Sequence, residues 1–203
     1  MAQEKDIVCR SCQSKGIAIR IKSVGQLCHC CFIGVVERRI KKNVRLNHRF
    51  KKDEKVLVID DSSTKSRVMI YLLDHCLGGL PVYIKIRKAD VSSVALPDLD
   101  GFNKVLLPLS ADDQAEAFIS WLFGKDNKVE SPKSVPFLSC LLDEEIEAYA
   151  RAKNIPLSKG SLSPLHKDIL YFESKYPGLL HGLLKGASFF KDASNGRKII
   201  GNP

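Results

Sequence analysis

The spacing of four cysteines constrains this chain before anything else. Cys9-x2-Cys12 is followed, after fifteen intervening residues, by Cys28-x2-Cys31. Each Cys-x-x-Cys pair places two sulfurs on one tight turn. The segment between must double back to join the turns, and four thiolates then complete a tetrahedron around Zn(II). Four protein ligands leave no coordination position open, so the zinc is expected to be structural. Ordinary free or buried thiols are the weaker alternative, because two correctly spaced pairs rarely arise by chance. Cys30 is a spare that can replace a ligand by a one-residue slip, and His29 reads as a solvated loop residue.

The setting agrees with thiols as ligands. Met1 to Asp6 is charged and lacks an apolar core, so it does not read as a secretory signal. No apolar run approaches the roughly 18–20 residues needed to cross a bilayer. A cytoplasmic location without membrane contact is expected, where cysteines serve as thiols or metal ligands and not as disulfides.

Charge is as unevenly placed as the cysteines. The chain of 203 residues carries 32 Lys+Arg against 23 Asp+Glu, a net charge of +9. Eight of the cations are Arg38, Arg39, Lys41, Lys42, Arg45, Arg49, Lys51 and Lys52, in a window with no Asp or Glu. The rest of the chain is nearly neutral, so the basicity is a local patch suited to a polyanion. Helical spacing puts Ile33, Val36, Ile40 and Val44 on one face of a helix over 32–49, and Arg38, Lys42, Arg45 and Arg49 on the other. A salt-sensitive RNA contact is favoured over a merely solvated face.

The remaining pattern alternates strands and helices. Lys55–Ile59 is a short β-branched run typical of a buried parallel strand, and Asp61 to Thr64 can cap a helix reaching Cys76. Pro81–Ile86 and Lys104–Leu107 read as strands, separated by a polar connection over 89–102. Helices follow at 112–123, 141–153, 164–175 and 179–185, with a loop at about 125–136. This predicts an α/β fold with a Rossmann-like parallel sheet. The division is a zinc-binding unit (1–32), a basic linking helix (33–52), an α/β domain (53–190) and a loose tail (191–203).

In such sheets ligands bind beyond the carboxyl ends of the strands. There the sequence reads Asp60-Asp61-Ser62-Ser63-Thr64-Lys65-Ser66. A phosphate loop normally carries glycines so that backbone N–H groups can approach the oxygens. This loop has none. Its hydroxyls and Lys65 can attract an anion, Asp60 and Asp61 repel one, and an ordinary helix cap is the stronger interpretation.

The order of these parts, together with Leu109-Ser110-Ala111-Asp112-Asp113-Gln114-Ala115-Glu116 and Phe118-Ile119-Ser120-Trp121-Leu122-Phe123-Gly124, resembles the tRNA 2-thiolation proteins built on the PP-loop ATP-pyrophosphatase fold. Val135-Pro136, the stretch Leu142 to Ala150, Asn154-Ile155-Pro156 and Tyr176-Pro177-Gly178 are similar to the same family. Active members carry Ser-Gly-Gly-x-Asp-Ser after the first strand. Here Asp61, Ser62, Ser63, Lys65 and Ser66 occupy that loop, both glycines are serines, and its acid is Lys65. Active members also need two or three cysteines in the catalytic domain, and only Cys76 and Cys140 lie outside the zinc unit.

The resemblance therefore implies a non-catalytic second subunit, a pseudoenzyme with no catalytic residues of its own. It further implies tRNA as ligand, a heterodimer with a catalytic thiolating subunit, and contact with a ubiquitin-like sulfur carrier. No iron–sulfur cluster and no ATP are expected. The alternatives are a zinc-ribbon nucleic-acid-binding protein of another class and an active ATP-dependent tRNA thiolase.

Overall fold

The computed structural model describes residues 8–14, 18–21, 25–79, 81–91, 101–124, 133–158, 163–176 and 178–194. Residues 92–100, 125–132 and 195–203, which the sequence assigns to a polar connection, a loop and a loose tail, lie outside them. The elements run β1 (Ala18–Ile21), β2 (Gly25–Cys28), α1 (His29–Asn47), β3 (Glu54–Asp60), α2 (Thr64–Leu77) and β4 (Val82–Lys88). Then come β5 (Lys104–Ser110), α3 (Ala111–Leu122), β6 (Ser134–Leu138), α4 (Asp143–Ala152), α5 (Pro164–Lys175) and α6 (Leu179–Ser194).

β1 and β2 form an antiparallel hairpin, the doubling-back that the two cysteine pairs require. The other four strands form a parallel sheet in the order β4-β3-β5-β6. The central strands are buried on both faces, as their unbroken apolar runs demand. Val56, Val58 and Leu106 pack with Phe32, Val36 and Ile40 of α1, Val68, Met69 and Leu72 of α2, and Ile146 and Tyr149 of α4. Leu57, Ile59, Val105 and Leu107 form a second cluster with Phe102 and Leu109. A third, of Ala115, Ile169 and Leu180, joins α3, α5 and α6.

Three differences from the expected elements have local causes. β6 lies where a loop is expected, because Pro136 is tolerated in a strand that forms the edge of the sheet. The basic helix begins at His29, inside the second cysteine pair, with Cys28 as its N-cap residue. The last helix continues to Ser194, well past 185.

The chain leaves β3 toward β4 on one side and reaches β5 on the other. The carboxyl ends of β3 and β5 therefore flank the switch point, where a crevice opens in a sheet of this kind. The residues after β3 and those after β5 meet there.

Candidate functional site

Each loop at the switch point is set by a helix cap. Ser63 caps α2 by accepting from the Ser66 amide at 3.1 Å. Ser110 and Asp113 form a capping box on α3, with Asp113 Oδ2 accepting from the Ser110 amide at 2.8 Å. Ser163 caps α5 by accepting from the His166 amide at 3.0 Å.

The loop after β3 uses its amide donors internally. The Ser62 amide donates to Asp60 Oδ1 and the Ser63 amide to Asp61 Oδ1, each at 2.9 Å. The Thr64 amide donates to Ser158 Oγ at 2.8 Å. These are the groups that would cradle a phosphate, and carboxylates and hydroxyls of the chain already hold them. The Ser66 hydroxyl donates to Asp60 Oδ1 at 2.8 Å. An open crevice of about 360 Å³ beside the loop is lined by Asp60, Asp61, Ser62, Lys88, Ala89 and Asp90, with the carboxylates outnumbering the single lysine.

Lys65 points across the switch point. Its ammonium donates to both carboxylate oxygens of Asp113 at 2.7 Å and to Ser110 Oγ at 3.3 Å, and pairs with Asp143 Oδ1 at 2.9 Å. Burial acts to lower the Lys65 pKa, but Asp113 and Asp143 more than offset it and hold the amine above its ordinary value. The chain of charges continues outward. Asp143 Oδ2 lies 3.3 Å from His166 Nε2, and Glu116 Oε2 lies 3.1 Å from His166 Nδ1. Glu116 also accepts a short hydrogen bond from Ser163 Oγ.

The electrostatics follow from this alternation. Hydrogen bonding to Asp143 raises His166 to about 9, against the opposing effect of burial. Burial acts to raise Asp143, but His166 and Lys65 hold it at about 2. Asp112 is 1% exposed, and burial together with the nearby Asp143 charge raises it to about 6. Its Oδ2 accepts from the Asp143 amide at 2.7 Å. Asp113, Asp143 and His166 present ligand atoms within 4.8 Å of one another, but the Lys65 ammonium and the His166 protons already neutralise that cluster. Asp113 and Glu116 enter the sequence reading only through the family-like stretch around Asp113, Asp143 only through the stretch Leu142 to Ala150, and His166 is given no role there. They come from elements far apart in sequence, and no local spacing announces them.

The second centre is the hairpin. A tight turn holds the first pair, with the Gln13 amide donating to the Cys9 carbonyl at 2.9 Å and Gln13 at a φ of 60°. The Arg10 amide donates to the Gln26 carbonyl at 2.9 Å and ties that turn to β2. The sulfurs of Cys9, Cys12, Cys28 and Cys31 all lie within 4.8 Å of one another, with Cys12 and Cys28 at 3.7 Å. A tetrahedral ion with metal–sulfur bonds of about 2.3 Å has an edge of ~3.8 Å, so the spacing fits such a centre. Hydrogen bonds from the backbone of Cys12 and Cys28 lower the Cys9 thiol to about 6. Ser11 acts to lower Cys31, but the sulfurs of Cys28 and Cys12, burial and Cys9 together raise it to about 12. Four thiolates this close need a cation among them. Cys30 is exposed and outside this cluster.

α1 carries the cations away from this centre. Arg38, Lys41, Lys42, Arg45, Arg49, Lys51 and Lys52 are exposed. Arg39 is not part of that surface in the same way. Its guanidinium donates to Glu145 Oε1 at 2.7 Å, and Glu145 is 1% exposed, so Arg39 ties α1 to α4. Asn43, also buried, donates to Ser139 Oγ at 3.2 Å and ties α1 to the residue after β6. Cys76 and Cys140 are half-buried, and burial raises both thiols, Cys140 to about 11, which makes poor nucleophiles of them.

A parallel sheet with its loop at the switch point and a four-cysteine hairpin ahead of it define a PP-loop-type α/β fold with an N-terminal metal-competent unit. No family model and no curated protein matches the sequence. Among solved structures the fold is similar to that of the U34-tRNA thiolase NcsA from Methanococcus maripaludis with its [4Fe-4S] cluster. The TM-score is 0.68 at 15% identity, over 91% of this chain and 87% of that one. That comparison corrects one expectation. Four cysteine thiolates are the donor set of an iron–sulfur cluster as well as of zinc, and a protein of this fold is described with such a cluster. The expectation of no iron–sulfur cluster does not stand. Among the described residues no helix is long and apolar enough to cross a membrane.

Proposed function

We propose that this chain is a non-catalytic, tRNA-binding subunit of a wobble-uridine 2-thiolation complex. It acts in the cytoplasm as the heterodimeric partner of a catalytic thiolating subunit that receives sulfur from a ubiquitin-like carrier. The observation that carries the proposal is the Lys65 ammonium, lodged between Asp113 and Asp143 at the switch point. A tethered cation fills the place between the carboxylates, and the loop amides that would meet a triphosphate are satisfied by Asp60, Asp61 and Ser158. The likeness of the fold to that of a U34-tRNA thiolase supports the RNA assignment.

The seven exposed cations from Arg38 to Lys52 supply phosphate contacts whose strength falls with salt. Cys9, Cys12, Cys28 and Cys31 hold a metal centre that fixes the first turn of that basic helix. When bound, the metal supplies a cation that gathers the four thiolates. Metal analysis for zinc, iron and acid-labile sulfide identifies it.

The test is reconstitution. The chain is co-purified with the catalytic subunit, and sulfur incorporation into tRNA is measured with and without it. Thiolation that depends on this chain, with no ATP consumption by the chain alone, is the expected result. Equal thiolation by the partner alone overturns the proposal. ATP turnover by the purified chain, abolished by Lys65→Met, favours an active enzyme instead.

A further inference from the structure

The sheet has two edges, and they differ in kind. β6 carries Pro136 in mid-strand, which removes a backbone donor and discourages further pairing. β4 has no proline and runs in unbroken register with β3 from Val82 to Lys88. Three of its four apolar side chains are left in water, with Tyr83 65%, Ile84 49% and Ile86 51% exposed, while Val82 packs on the core. The apolar residues of the neighbouring β3, Val56 to Ile59, are at most 1% exposed. Among the described residues no strand pairs with the outer side of β4. Four of the five residues Val82–Ile86 are apolar, and among the described residues no strand covers them, so this part of the edge is a template for another strand.

We propose that β4 pairs antiparallel with β4 of a second copy of this chain, about a two-fold axis through Ile84. The side chains select both the occupant and the register. A two-fold axis perpendicular to the sheet sets residues of one face opposite each other, so it must pass through a residue. Through Lys85, lysine opposes lysine. Through Ile86, Lys85 opposes Arg87 and Ile84 opposes Lys88. Through Tyr83, the paired strand shrinks to Val82–Ile84 and Ile86 runs past the start of β4. Through Ile84, residues 82–86 pair, Ile84 meets its copy, Val82 meets Ile86, and Tyr83 meets Lys85. That register is the longest without like charges opposite, and it joins apolar pairs on one face to a cation–aromatic pair on the other. Closure by a two-fold axis limits the assembly to a dimer with one continuous sheet. The exposed apolar area is modest, so the dimer is of the weak, concentration-dependent kind.

This proposal does not rest on the thiolation reading, and salt separates the two. Two chains of net charge +9 repel, so apolar pairing strengthens as salt screens them, whereas RNA binding weakens. The full chain is examined by sedimentation velocity over a range of concentration and salt. The expected mass rises toward twice that of the monomer with concentration, and further with salt. Ile84→Glu sets two carboxylates across the axis, and Tyr83→Arg sets arginine opposite Lys85. Each weakens self-association at least tenfold, and the second keeps the test sound if the first fails to fold. Ile84→Cys gives a disulfide-linked dimer under mild oxidation above the level of the parent chain, whereas Ile86→Cys, opposite Val82, does not. A chain that stays monomeric overturns the proposal. So does a dimer indifferent to both charge variants and not linked through Ile84→Cys, because its interface then lies elsewhere.

Discussion

His166 ties the stability of the fold to pH in a way that can be worked from the geometry. Its imidazole sits between Asp143 and Glu116, with its side chain 4% exposed. The folded chain raises it from 6.5 to about 9. At about 1.4 kcal/mol per pH unit, the protonated ring is favoured in the fold by about 3 kcal/mol. The group binds its proton more tightly folded than unfolded, so this contribution is complete below pH 6.5. It is lost as pH rises through 9. In His166→Gln the contribution is absent at every pH. Urea unfolding followed by circular dichroism, on both proteins from pH 6 to 10 with reductant present, isolates the term as a difference. The parent chain should exceed the variant by about 3 kcal/mol at pH 6.5, or about 6–12 °C in Tm for a domain of this size. The gap should close by pH 10. A gap that stays constant, or widens as pH rises, would refute the reasoning.

Four further outcomes are expected. Lys65→Met leaves Asp113 and Asp143 facing each other without their shared cation. It should cost about 2 kcal/mol in the same urea assay, less than a fully buried pair because both carboxylates keep some contact with water. Arg39→Ala removes the guanidinium from Glu145, whose other oxygen keeps the Leu142 amide, and should cost about 2 kcal/mol. Reversing Arg38, Lys42 and Arg45 to Glu should leave stability within about 0.5 kcal/mol per substitution while weakening tRNA binding and flattening its salt dependence, read by filter binding. Cys9→Ser should abolish stoichiometric metal in the purified chain, read by metal analysis.

Much of the architecture was legible because it rests on local pattern. The apolar run at Val56–Ile59 announces a strand buried on both faces, and the polar run Asp61 to Thr64 announces the helix start that Ser63 caps. The cysteine pairs announce the hairpin that joins them. β6 was hidden by Pro136, whose rule against strands lapses at an edge. Arg39 was indistinguishable from its basic neighbours. Only the packing of α1 against α4 shows that it serves Glu145. The alternating ion chain from Lys65 to Glu116 was invisible for a different reason. Its members are brought together by the crossovers of the sheet, and sequence separation carries no trace of them.

One feature of the hairpin reaches beyond it. Cys28 is the N-cap residue of α1 and Cys31 lies in its first turn, so no linker separates the metal ligands from the basic stripe. A helix of 19 residues at about 1.5 Å per residue is a rod of ~28 Å, pinned to the domain by Arg39 and Asn43. Oxidation or loss of the metal at one end cannot be absorbed by a flexible joint. Any change in the four-cysteine centre therefore falls on the first turn of the rod that carries the cations.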